Sequence, residues 1–255
     1  GQATAFRVPE AAAPLTVTIL LGMAALISAA SALRALRAGP FSLAFGLGAV
    51  LVAPVVAAEL ELLWNPSPVL GAYPWALHVM ALAAAMVALA LRFAQVDGED
   101  RRRVAYATLS ALSLIALALF LLTTRSGLTL SLGVLVVVAA GLDRRFRLPE
   151  MGLFIQIGVA VLGYRLLADP GVGWAMEASL GAVIVAFVGV IAALVAALWL
   201  LSPLDRRLPV GVLESAIAGF AAVFANVLVS RWLLPPGAVG TLETHYGVTL
   251  NALPW

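Results

Sequence analysis

The stretch "LDRRFRLPE", Leu142 to Glu150, returns in altered form as "LDRRLPVGVLE", Leu204 to Glu214, and each copy lies between two long apolar runs. An aspartate, a cluster of arginines and then Leu-Pro read as the end of one helix and the start of the next. Arginine at a helix C-terminus favours the negative end of the helix dipole and the anionic face of a membrane. The proline that follows starts a helix, where its missing N–H costs nothing. Glu150 falls in that helix's first turn, beside the positive dipole end. The two copies therefore predict helical hairpins turned at one membrane face.

The composition agrees with this reading. Of 255 residues, 63% are hydrophobic and 11% charged, with a mean hydropathy of +1.07. A soluble domain carries about 25% charged residues, so this chain could not cover a globule with polar groups. Apolar runs recur at approximately 15–36, 41–58, 70–91, 104–123, 127–141, 150–167, 179–201 and 210–234, each near the length that crosses a bilayer. The fifth is the weakest. It spans only if Thr124 to Leu142 is taken, and a re-entrant segment is its alternative. The fold class is all-α: a polytopic transmembrane bundle of about eight helices, stacked as hairpins. Residues 1–14 and 235–255 form outer segments around a helical domain at 15–234.

All 15 basic residues are arginine, and their distribution orients the chain. Arg34, Arg37, Arg92, Arg101, Arg102, Arg103, Arg144, Arg145, Arg147, Arg206 and Arg207 fall on odd-numbered connections. Arg7, Arg125, Arg165 and Arg231 fall on the other side. The positive-inside rule places the odd connections in the cytoplasm and both termini outside. The outer turns carry Trp64, Tyr73, Trp75, Tyr164, Trp174 and Trp232, rings suited to the headgroup level, together with Pro and Gly. The absence of lysine and the wealth of Ala and Leu fit a GC-rich bacterial genome, and the location expected is the bacterial inner membrane. Arginines at helix ends form no continuous basic face, so nucleic acid is not a partner. The partners expected are the lipid bilayer and other membrane proteins. The opening "GQATAFRVPEAAAP" makes a poor signal peptide, and the expectation is a processed chain or a piece of a longer one.

The hairpins also look repeated. Arg-Arg, Leu-Pro, an apolar span, an arginine, Leu-Leu and Pro-Gly occur in order from Leu142 to Gly171 and again from Leu204 to Gly237, with a weaker version at Arg101 to Gly127. With its "LDRRFRLPE" turns and "LGYRLLADP" helix ends, the chain from Leu70 to Pro236 resembles the large Ala/Leu-rich bacterial multi-pass membrane proteins grouped as a domain of unknown function. The resemblance implies a portion or a short relative of such a protein, and it brings no catalytic residues.

Polar residues inside a membrane are expensive and are functional candidates by default. Glu59 and Glu61, two residues apart, lie about 200° around a helix and form no paired-carboxylate site. His78 sits one turn inside Trp75 without companion ligands, since the only other histidine is His245 in the tail; it reads as a hydrogen-bonded packing residue. Gln156, Asn226 and Glu214 suit interhelical hydrogen bonds, with a Glu214–Asn226 proton or substrate relay as the functional alternative. Arg165 and Arg231 occupy matching repeat positions. They would snorkel outward or pair with Asp169, Glu59 or Glu61, with an anion site as the functional alternative. "GLGAV", Gly46 to Val50, is a small-residue face for close packing, and Pro54 lies on the same segment, where it can kink the helix. With no cysteine, P-loop, nucleophile elbow or paired histidines, the chain is expected to be no enzyme and to hold no cofactor or metal. The function expected is a scaffold or accessory subunit of a larger membrane assembly. The alternatives are a transporter or flippase for an envelope component, which would need convergent polar residues, and a membrane-embedded enzyme acting on lipid or glycan, which would need Glu59 or Glu61 to meet His78.

Overall fold

The computed structural model describes residues 14–37, 39, 41–123 and 125–233, and they contain helices and turns but no strand. The outer segments, except Pro14, and His245 lie outside the described residues. The chain divides into two compact units, at 1–123 and 124–255.

The first unit holds α1 (Pro14–Ala35), α2 (Ser42–Glu59) running on through a π turn (Leu60–Trp64), the short α3 (Ser67–Leu70), α4 (Ala72–Val96) and α5 (Arg102–Leu122). The second holds α6 (Arg125–Phe146), α7 (Met151–Leu167), the short α8 (Gly171–Glu177), α9 (Leu180–Leu201) and α10 (Arg207–Leu233). Seven of these helices are long and apolar enough to cross a membrane, or eight with the bent α7–α8 pair taken as one span. Their outward faces are apolar: Leu26, Leu77 and Trp199 are each more than 60% exposed. Only lipid tolerates such a surface, and the protein is a multi-pass membrane protein.

The irregular span is not the fifth but the sixth. α6 is an unbroken helix of 22 residues. Its Ser, Thr and Gly content lowers its hydropathy below that of the other spans but does not break it, because a helix satisfies its own backbone in lipid. It runs on through Asp143, Arg144 and Arg145, so the first "LDRR" is the last turn of a helix. The second copy is different: Leu204 to Arg206 form the turn between α9 and α10. α7, by contrast, has 17 residues and is followed by a 50° bend into α8. Gly171 opens α8 at φ +70, a conformation that L side chains rarely adopt.

In the first unit, α1 packs along α2, α4 packs along α5, and α2 also contacts α5. Pro54 explains part of this arrangement. A proline removes the N–H that would bond the carbonyl four residues back, here that of Val50. The Ser110 hydroxyl of α5 donates to that carbonyl at 2.6 Å. From the other side, the Ala53 N–H donates to Ser28 Oγ of α1 at 3.1 Å. Both serines are buried. Gly46 of the "GLGAV" face makes room for Arg103, whose Cδ would lie 2.8 Å from an added Cβ.

In the second unit, α6 and α9 pack most extensively, and α7 touches both α6 and α10. A Cβ at Gly158 would lie 2.7 Å from Val136 of α6, and one at Gly152 would lie 2.7 Å from the Pro209 ring of α10. Small residues bring these helices close, as lipid-embedded packing requires.

Candidate functional site

Two ion pairs tie helix ends together. In the second unit, Asp143 is fully buried and accepts from Arg206 Nε at 2.7 Å and Nη2 at 2.9 Å. These hydrogen bonds to Asp143 hold the Arg206 guanidinium above the ordinary arginine pKa; partial burial opposes them, and Glu150 and Asp205 add weaker attraction. Asp143 belongs to the first "LDRR" and Arg206 to the second, so one copy clasps the other. Arg144 lies over the Trp199 ring, 4.9 Å from its centroid. In the first unit, Arg103 Nε donates to Asp97 Oδ2 at 2.8 Å, and a second bond joins its Nη2 to Oδ1. Its Nη1 donates to the Ala35 carbonyl at the end of α1 at 2.5 Å, and the guanidinium covers Phe93. Arg103 and Arg206, two of the eleven arginines that the sequence places on cytoplasmic connections, thus bond to protein. The sequence carries a signal for both pairs: an Asp six residues before Arg103, and an Asp preceding each Arg-Arg.

At the opposite end of the first unit, Trp75 is fully buried and donates its indole N–H to Glu61 at 2.8 Å. It is a core residue and not the interfacial ring expected from sequence, because Glu61 satisfies its one polar atom. Tyr73 and Trp232, at 73% and 84% exposure, do have outward-facing rings. His78 Nδ1 lies 2.7 Å from the Pro74 carbonyl, and Nε2 lies 3.3 Å from the Thr18 hydroxyl. A carbonyl only accepts, so Nδ1 carries the proton and, in the neutral ring, Nε2 accepts from Thr18. His78 is packed against Trp75, and no hydrogen bond joins it to Glu59 or Glu61 among the described residues.

The remaining candidates are dispersed. Gln156 donates to the Gly152 carbonyl, one turn back on its own helix, at 2.9 Å, which corrects the interhelical bond expected. Glu214 is exposed on α10. Asn226, twelve residues along the same helix, is about 18 Å away along the axis, too far for a direct relay; its Oδ1 is buried without a hydrogen-bond partner. Arg231 donates to the Ala175 carbonyl of α8 at 2.6 Å, so it braces the bent span where snorkelling or an acidic partner was expected. Arg165 lines a small pocket with Thr129 and Trp174.

Glu59 stands apart. It is exposed and lines a crevice between α1 and the end of α2, about 370 Å³ in volume, with Leu20, Met23, Ile27, Leu63 and Trp64. Trp64 Nε1 is buried and has no hydrogen-bond partner. The sequence predicts an interfacial anchor at Trp64; the π turn at Leu60–Trp64, which has no signal in the order of residues, brings it to this crevice. No group of three or more His, Asp or Glu able to hold a metal occurs among the described residues. Compared with known proteins, the chain matches no family model, no curated protein and no solved structure.

Proposed function

We propose that the protein is a non-catalytic scaffold or accessory subunit of a larger membrane assembly, in the bacterial inner membrane with both termini outside. The observation that carries this reading is the dispersal of its intramembrane polar groups. Gln156 turns back on its own helix, Glu61 is engaged by Trp75, His78 by Pro74 and Thr18, and Arg231 by Ala175. A transport path needs polar groups around one cavity and an enzyme needs an acid–base pair; these side chains serve packing instead. The hairpin turns support kinship with the large Ala/Leu-rich bacterial membrane proteins they resemble.

The test is extraction of the native protein from its own membranes in mild detergent, followed by mass spectrometry of the intact species. The expected result is a stoichiometric complex with other membrane proteins. Recovery of the chain alone would sink the accessory reading and turn attention to transport assays on Gln156, Glu214 and Asn226 variants.

A further inference from the structure

We propose that the crevice between α1 and the π turn ending α2 is a binding site for a phospholipid with a primary-amine headgroup. The Glu59 carboxylate takes the ammonium, and the Trp64 indole N–H takes a phosphate or ester oxygen.

The π turn is what assembles the site. Its defining bond runs from the Asn65 N–H to the Leu60 carbonyl, five residues back, at 2.9 Å. In an α-helix, residues five apart point about 140° away from each other. A wider turn brings residue i+5 back toward the face of residue i, and such turns occur frequently at functional sites. Glu59 and Trp64 are five apart, and both line the same crevice.

The two groups have complementary unmet needs. The Glu59 carboxylate makes no hydrogen bond or ion pair among the described residues, and the Trp64 indole N–H is buried without an acceptor. Glu59 lies five residues before the end of a 23-residue span, so about 7 Å inside it. A carboxylate at that depth is costly unless a cation meets it, and a buried donor without a partner is costly as well. The remaining walls, Leu20, Met23, Ile27 and Leu63, are apolar. An amine-bearing phospholipid answers all three features: an ammonium for the carboxylate, an oxygen for the indole and an acyl chain for the walls. A glycerol headgroup brings no cation. A choline headgroup brings one that cannot donate a hydrogen bond.

The experiment uses the full chain, delipidated in detergent and equilibrated with mixed micelles holding equal amounts of phosphatidylethanolamine, phosphatidylglycerol and phosphatidylcholine. Native mass spectrometry counts the lipids retained. The wild type should hold one ethanolamine lipid in preference to the other two. Glu59→Gln, which keeps the shape and removes the charge, should lower that preference about tenfold, the loss of one charge-assisted hydrogen bond. Trp64→Phe should weaken retention of all three lipids while leaving the ethanolamine preference in place. The proposal is overturned if the wild type retains the three lipids equally, if it prefers the glycerol or choline lipid, or if Glu59→Gln leaves the preference unchanged with its helical circular dichroism intact.

Discussion

At the scale of single residues, the informative positions are those where a rule is broken and then repaired. Pro54 in the middle of a spanning helix leaves the Val50 carbonyl without its usual donor, and the Ser110 hydroxyl replaces it at 2.6 Å. In hydrocarbon no water can take over that role. Ser110→Ala should therefore lower stability by about 1 kcal/mol. In a Pro54→Ala background, residue 54 regains its N–H and the same serine change should cost less, with a coupling of about 0.5 kcal/mol or more. Denaturant unfolding of the four proteins in detergent measures the cycle, and strict additivity would refute the repair. Pro54 is legible in the sequence and its link to Ser110 is not, because nothing in the order of residues says which helix lies beside the gap.

At the scale of elements, the Asp143–Arg206 pair joins the end of α6 to the turn before α10. Truncating one partner of a buried pair leaves the other charge uncompensated. Arg206→Ala should cost about 3 kcal/mol, toward the low end of what such truncations cost, because the Arg206 side chain is 22% exposed while Asp143 is 0% exposed. Replacing both residues by leucine should cost less than Arg206→Ala alone, and thermal unfolding of the two variants compares them. The sign of the pH dependence follows from the raised pKa of Arg206. Stability from a raised base is fully present below its unfolded value and is lost only as pH rises through the folded one. The arginine therefore adds no slope between about pH 7 and 10, and a fall in stability across that window that is absent in Arg206→Ala would contradict this assignment.

The same pair bears on how many times the chain crosses the membrane. The end of α6 and the start of α10 meet at one end of the second unit. α9 has 22 residues and spans about 33 Å, so α7 and α8 together must cover the same distance in the other direction. This arrangement fits an eight-span chain in which the bent pair crosses. These 255 residues contain no cysteine, so single replacements report topology directly. Glu99→Cys and Asp205→Cys should react with a membrane-impermeant thiol reagent only from the cytoplasmic side, and Pro68→Cys and Asp169→Cys only from outside. Labelling of position 205 from the side opposite to position 99 would mean that α7 and α8 form a re-entrant loop and that seven helices cross.

Hydropathy, the arginine turns and the Pro-Gly breaks were sufficient to determine the helical class and the approximate position of every long helix. Those features depend on each residue's transfer into lipid and on local backbone geometry, both carried by the chain in order. The unbroken α6 and the broken α7–α8 span lay near this limit, because hydroxyl and glycine content lowers hydropathy without ending a helix. What only the tertiary structure decided was partnership: Asp143 with Arg206, Asp97 with Arg103, Glu61 with Trp75, and Ser110 with Val50. Two nearly identical "LDRR" turns took opposite roles, one offering the carboxylate and the other the guanidinium, because a polar group in lipid takes its partner from whichever helix packs beside it.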